Sequence, residues 1–310
     1  MTLTFDHPAL LYNGLDEYTS VVGAYVRSAV TSGDAVMVAV PEVNLTPLRD
    51  TLTDVRAEVV FADMTVAGRN PGHIIPGVLL AFAARHPGRH VSIVGEPIWP
   101  SRSAIEYPAC ATHEALINAV FAGRDASILC PYDVTGLGQD ALADAWRTHP
   151  VMITREGRRP SPSYADPIET ADRFNQPLPA VPPEADIFPY ATAQDLSRVR
   201  AFVADRARKA GLPERRIDDA VTAVNELAEN SIAHTDGAGS IALWSEADCL
   251  IVQADDHGIF TDPLAGRVLP PLNVPGGRGL VLVNHLCDLV RVHRRPDGTS
   301  IRVHLHGLQL

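Results

Sequence analysis

Proline placement constrains this chain more than any other feature of its sequence. Eight of the 25 prolines fall between Pro160 and Pro189, in RPSPSYADPIETADRFNQPLPAVPPEADIFP. Proline lacks the amide proton that a helix interior or a central strand needs, so no single continuous core runs through this stretch. Residues 156–185 read as a semi-extended, proline-rich linker. The 310-residue chain then divides into a segment 1–155, the linker, and a segment 186–310. Two domains also match the usual size of about 100–200 residues each.

Composition narrows the classes. The chain is 46% hydrophobic and 20% charged, which is globular rather than disordered. No apolar run approaches the roughly 18–20 residues that a bilayer helix needs. The start, MTLTFDHPALLYNG, lacks the basic region of a secretory signal, so a cytoplasmic location is expected. The formal net charge of -11 argues against direct binding of nucleic acid or an anionic membrane. Cys110, Cys130, Cys249 and Cys287 lie far apart, with no CxxC or Cys/His ligand spacing. Reduced thiols are the ordinary reading, and a structural zinc site is not expected. Lys209 is the only lysine and no Gly-Lys dipeptide exists, which excludes a Walker P-loop.

The first segment alternates. Apolar runs at Ala35–Val40, Ala57–Phe61, Val91–Val94 and Ser127–Cys130 read as buried strands. Helix-compatible stretches lie around them at Asp16–Thr31, Pro71–Arg85, Ala111–Ala122 and Gln139–Thr148. This pattern predicts an α/β domain with a mainly parallel sheet covered on both faces. The second segment opens with two helices, about Ala193–Ala210, closed by Gly211, and Pro213–Ala233. Strands follow at Ser240–Ser245 and Cys249–Ala254. After a Gly/Pro-rich loop come a helix from Gly279 to Cys287 and two strands, Leu289–His293 and Ser300–His306. That order predicts an α+β sandwich.

Three features of the second segment carry chemistry. In VTAVNELAENSIAH, Ile217, Ala220, Val221, Val224, Leu227 and Ala228 share one helix face. Glu226, Asn230 and His234 follow each other one turn apart, away from that face. An apolar strand ends at Asp255-Asp256-His257-Gly258, and Pro275-Gly276-Gly277-Arg278-Gly279-Leu280 opens a helix. Taken singly, these read as a solvated helix face, an ordinary turn and a plain loop. Taken in this order, glycines at a helix N-terminus allow close approach of an anion, beside a carboxylate able to accept from a ligand.

The set resembles the GHKL (Bergerat) ATP-binding fold over residues 186–310. Within it, the opening ATAQDLSRVRAFV is similar to the anti-sigma-factor serine kinases and their actinobacterial relatives. The resemblance implies ATP and Mg as cofactors. It makes Glu226 the general base toward a substrate serine and Asn230 the magnesium ligand. Asp256 would accept from the adenine amino group, with Gly258 beside it. Gly277, Arg278, Gly279 and Leu280 form the second glycine box, and Thr299 supports the adenine site. His234 lies near the phosphate end. The first glycine box reads Asp-His-Gly-Ile-Phe, so Phe260 stands where the family has its second glycine. The lid from Ile259 to Pro275 is short and holds four prolines. With no second phosphate-binding lysine in this segment, the resemblance would leave Arg278 or Arg267 as the substitute phosphate ligand.

The first segment, through HPALLYNG, VGEPIWPSRS, THEALINAVFA and ILCPYDVTGL, resembles the MEDS (DcmR-like) sensory domain, which is related to RecA-like folds. His7, Tyr12, Glu96, Trp99 and Arg102 are the sensory-domain candidates for an unknown small ligand, with His113 and Glu114 in the same motifs. His113-Glu114-Ala115-Leu116-Ile117 lacks the second histidine of HExxH, so it is no zinc peptidase. Together the resemblances imply a cytosolic regulator. A sensor controls an ATP-binding, kinase-like domain that sequesters a sigma factor and phosphorylates an anti-sigma-factor antagonist, as a homodimer. The alternative is a partner-binding module without phosphate transfer. A sensor histidine kinase does not fit, because no histidine lies between His149 and His234.

Overall fold

A computed structural model describes residues 5–235, 237–271, 273 and 276–308. The chain separates into two compact units, Met1–Phe174 and Asn175–Leu310. Among the described residues no helix is long and apolar enough to cross a membrane.

The first unit contains β1 (Phe5–Asp6), β2 (Pro8–Tyr12), β3 (Ala35–Val40), β4 (Val59–Asp63), β5 (Val91–Gly95), β6 (Ala126–Asp133), β7 (Val151–Thr154) and β8 (Gly157–Pro160). They form one sheet in the order β4-β3-β5-β6-β2-β7-β8, with β1 also beside β6. The pairings are parallel except the β7–β8 hairpin. Its helices are α1 (Leu15–Thr31), α2 (Glu42–Thr51), α3 (Met64–Ala67), α4 (Pro71–His73), α5 (Leu80–Ala84), α6 (Tyr107–Phe121), α7 (Gln139–Thr148) and α8 (Pro167–Asp172). All six residues of β3 are buried, as an unbroken apolar run in a two-sided parallel sheet should be.

The helix expected over Pro71–Arg85 is interrupted. Pro76 supplies no amide proton, and Ile74–Leu79 form a π-helical stretch between α4 and α5. β2 was not expected. Its PALLY run is short and begins with proline, which a strand accepts at its first residue. Nevertheless β2 sits in the sheet's interior, with Ala9 opposite both Cys130 and Met152.

The proline-rich stretch is more structured than a semi-extended linker over 156–185. Proline is compatible with an edge strand and with the first turn of a helix, and the chain uses both. Pro160 ends the edge strand β8. Pro167 opens α8, where the Asp166 carboxylate accepts from the amides of Ile168 and Glu169 at 2.8 and 3.0 Å.

The second unit contains β9 (Asp186–Tyr190), α9 (Leu196–Lys209), α10 (Glu214–His234), β10 (Gly239–Glu246), β11 (Cys249–Asp256), α11 (Gly279–Leu286), β12 (Leu289–Arg295) and β13 (Gly298–His306). Its sheet, β12-β13-β11-β10-β9, is antiparallel throughout. α9 ends as the sequence suggests. Gly211 takes φ +86° and the Leu212 amide reaches back to the Ala207 carbonyl at 3.0 Å, a glycine-based helix stop. Val199 and Val203 of α9, Val224 and Leu227 of α10 and Val283 of α11 pack with Ile241, Val252 and Val303 of the sheet.

The outer sheet face has its own cover. Val181 and Ala185 pack on Ala242, Trp244, Cys249 and Ile251. The Arg302 guanidinium lies 4.8 Å from the Trp244 ring centre and donates to the Pro179 carbonyl at 2.6 Å. Asn175 pairs with the backbone of Arg294, accepting from its amide at 2.8 Å and donating to its carbonyl at 2.9 Å. The two units are thus an α/β domain with a mainly parallel sheet and an α+β sandwich, the classes expected from the sequence.

Candidate nucleotide site and sensory-domain residues

In the second unit, α10, the end of β11, β13 and the start of α11 surround a cavity of about 440 Å³. The buried stripe of α10, including Ile217, Val224, Leu227 and Ala228, fixes the helix on the sheet. That orientation sends Asn230 and His234 to the cavity wall. Leu227, Ala254, Leu280 and Ile301 supply apolar wall, and Asp256 and Thr299 supply polar groups.

Asp256 is held from two sides. Its Oδ2 accepts from the Ser231 hydroxyl at 2.5 Å, and its Oδ1 accepts from the Gly258 amide at 2.8 Å. The Ser231 oxygen in turn accepts from the Tyr190 hydroxyl at 2.9 Å. Thr299, opposite Asp256 in the β11–β13 register, donates to the Gly258 carbonyl at 2.7 Å. Gly258 has no room for a side chain, since a Cβ would fall 2.4 Å from Thr235 Cγ2.

The start of α11 approaches α10 closely. A Cβ on Gly279 would lie 2.5 Å from Glu226 Oε2 and 3.5 Å from Asn230 Nδ2. Gly277 adopts φ +72°, which favours glycine. The Glu226 carboxyl is raised above its usual value by burial and by the neighbouring Glu229, the direction that suits a base. Glu226 stands beside the cavity, not in its lining.

Most of the residues singled out in the second segment converge here. Asn230, Asp256, Gly258, Gly277, Gly279, Leu280 and Thr299 all line the cavity, as does His234. Arg278 does not, and it donates to the Pro271 carbonyl at 3.0 Å; Arg267 does not line it either. Phe260 does line the cavity, so the side chain that replaces a glycine contributes to the wall. Pro275, first residue of the glycine-rich motif and last of the expected lid, lies outside the described residues. Ser231 and Tyr190 were missed. Their signal was weak: a serine on the buried face of α10, and a tyrosine two residues before a capping Thr-x-x-Asp.

The five sensory-domain candidates have different sets of partners. Glu96, fully buried at the end of β5, accepts from the Tyr18 hydroxyl at 3.0 Å and from Asn44 Nδ2 at 2.9 and 3.0 Å. Burial pushes its carboxyl up to about 8, against those hydrogen bonds, which favour the charged form. Tyr12 is next to it, its phenol raised by burial and by Glu96. Trp99 and Arg102 brace a loop. The guanidinium lies 3.9 Å from the Trp99 ring centre and donates to the carbonyls of Pro97, Gly68 and Arg69. His7 belongs to a separate buried group with Glu114, Cys130 and His149.

The second unit is a sandwich with a polar-floored cavity at a glycine-rich helix start, and residues 190–305, which hold it, match the histidine kinase-like ATPase domain, a family that implies nucleotide binding. Residues 6–150 match MEDS, the MEthanogen/methylotroph, DcmR Sensory domain. The chain therefore carries a MEDS domain followed by a histidine kinase-like ATPase domain. No curated protein matches it. Among solved structures, the crystal structure of the RsbU and RsbW domains of Rv1364c from Mycobacterium tuberculosis is similar at 20% identity, with a TM-score of 0.30. The match covers 39% of this chain and 32% of that one, so the chain spans about a third of that structure's length.

Proposed function

We propose that this chain is a signalling regulator in which a sensory domain, residues 1–155, controls a Mg-ATP-binding domain, residues 186–310, of the anti-sigma-factor kinase type. Residues 156–185 connect them. The observation that carries the reading is the approach of Gly279 to Glu226 and Asn230, which brings the start of α11 against the polar face of α10. Free amides at a helix start suit phosphate oxygens. The apolar cavity walls suit a flat base, and Asp256 suits its exocyclic amine. Asn230 is the side chain suited to hold magnesium. The ion, when bound, neutralises phosphate charge.

In the kinase reading, Glu226 takes the proton of a serine hydroxyl on an antagonist protein. The hydroxyl oxygen bonds to the γ-phosphorus as the bond to the β-γ bridging oxygen breaks, leaving ADP. The partner side is a sigma factor, held while the antagonist is phosphorylated. A homodimer and a cytoplasmic location complete the reading. A second reading, partner capture without transfer, is favoured by Phe260, which occupies cavity wall where the GHKL pattern has glycine. Calorimetric titration of the whole chain with ATP, with and without magnesium, tests the site. Labelled γ-phosphate followed onto an antagonist protein separates the two readings.

A further inference from the structure

We propose that His7, Glu114, Cys130 and His149 form a closed, four-ligand site for a divalent cation of the zinc class in the first unit. The residues come from the β1–β2 junction, α6, β6 and the α7–β7 junction, 142 positions apart at the extremes. One donor atom from each lies within 4.8 Å of the others, and all four residues are buried. Both histidines and Glu114 have no more than 1% exposure.

The surrounding hydrogen bonds fix which ring nitrogens face inward. Asn118 Nδ2 donates to the Thr148 carbonyl at 2.7 Å, which turns Asn118 Oδ1 toward His7 Nδ1 at 3.0 Å. That oxygen only accepts, so His7 Nδ1 carries the proton. His149 Nδ1 lies 3.0 Å from the Ala145 carbonyl, which also only accepts. In a neutral imidazole whose Nδ1 carries the proton, Nε2 is left with its lone pair. Both Nε2 atoms then present lone pairs to the same space. They lie 3.4 Å (His7) and 3.1 Å (His149) from Glu114 Oε2. Cys130 Sγ is 3.4 Å from His7 Nε2.

Two imidazole lone pairs and a carboxylate facing one another, with only a thiol proton among them, are costly without water. Both rings lie within ion-pair distance of the Glu114 carboxylate, yet neither Glu114 oxygen nor His149 Nε2 has a partner in good hydrogen-bond geometry. A cation resolves the conflict. Histidine ligands that donate their other nitrogen to a carbonyl are the usual arrangement around a metal. Bonds of about 2.0–2.3 Å to N, O and S in a tetrahedron give ligand–ligand edges of about 3.3–3.8 Å, close to the His7–Glu114, His149–Glu114 and Cys130–His7 separations of 3.4, 3.1 and 3.4 Å. Binding releases the thiol proton to solvent. One thiolate and one carboxylate then balance the dipositive charge, leaving a neutral buried centre. Sulfur and imidazole ligands disfavour magnesium and calcium. Four protein ligands with no open position describe a structural site, not a catalytic one.

The test uses the full-length, untagged chain. Elemental analysis of protein purified without chelator should find about one zinc per chain. After chelator treatment, titration with Co²⁺ alone should saturate at one equivalent. The spectrum should show the visible bands of tetrahedral cobalt and a near-ultraviolet sulfur-to-cobalt band. Cys130→Ser, nearly isosteric and checked for folding by circular dichroism, should lose the sulfur band. Absence of stoichiometric metal in the wild-type chain together with no Co²⁺ uptake overturns the proposal. So does uptake whose spectrum is the same in Cys130→Ser, because the metal then sits elsewhere.

Discussion

The Ser231 hydroxyl donates to Asp256 Oδ2 at 2.5 Å while accepting from Tyr190 at 2.9 Å. One hydroxyl thereby joins α10, β9 and the end of β11. Asp256 is aimed by a side chain that lies on the buried face of its helix.

Ser231→Ala should weaken nucleotide binding by about tenfold, from loss of one charge-assisted hydrogen bond of about 1.5 kcal/mol. It should also strand the Tyr190 hydroxyl and lower stability by about 1–2 kcal/mol. Calorimetry and denaturant unfolding measure the two effects separately. Unchanged affinity would mean that Asp256 does not meet the base.

Gly279→Ala should leave the fold intact and reduce Mg-ATP affinity by tenfold or more. The added methyl meets the end of the Glu226 side chain, 2.5 Å from Oε2, so the carboxylate must swing aside. Adding Glu226→Ala to this variant removes the clash and should restore part of the binding, while phosphate transfer stays absent. A double-mutant cycle in binding free energy reads the coupling.

Asn230→Ala should abolish magnesium-dependent binding, whereas Glu226→Gln should bind Mg-ATP near normally and fail to transfer phosphate. Wild-type Mg-ATP affinity in Asn230→Ala would remove that residue from the site. Transfer by Glu226→Gln at the wild-type rate would remove Glu226 as the base.

Glu96 predicts a pH dependence for the first unit. Its carboxyl is raised from 4.5 to about 8, so the folded state holds the proton more tightly than the unfolded chain. The stability it contributes is fully present below pH 4.5 and is lost as pH rises through 8. At about 1.4 kcal/mol per pH unit, the loss is on the order of 3–5 kcal/mol. Glu96→Gln should flatten this slope between pH 5 and 8, as followed by urea unfolding. Identical slopes would show that Glu96 is ionised in the native protein.

The readable parts of the fold were those where local pattern and tertiary role coincide. β3 is an unbroken apolar run because both its faces are covered, and α10 shows its stripe because only one face is. The order Glu226, Asn230, Asp256, Gly279 was legible because the first two stand one turn apart on the polar side of α10, while Asp256 closes β11 and Gly279 opens α11. β2 was not, since a five-residue run beginning with proline resembles many loops. Nor was the group His7, Glu114, Cys130 and His149. The absence of local ligand spacing argued against zinc, yet parallel crossovers carry residues far apart in sequence to one point of a sheet. The order within 156–185 was hidden for a different reason. Proline forbids helix interiors and central strands, but not the edge strand β8 or the first turn of α8.

The cover of Val181 and Ala185 over Trp244, with Asn175 hooked to the backbone of Arg294, decides how the protein comes apart under a protease. A cut near Phe174 should release a well-behaved C-terminal fragment that keeps its flap. A cut near Asp186 should strip the flap and bare the indole together with Ala242 and Ile251, giving a sticky fragment prone to precipitate.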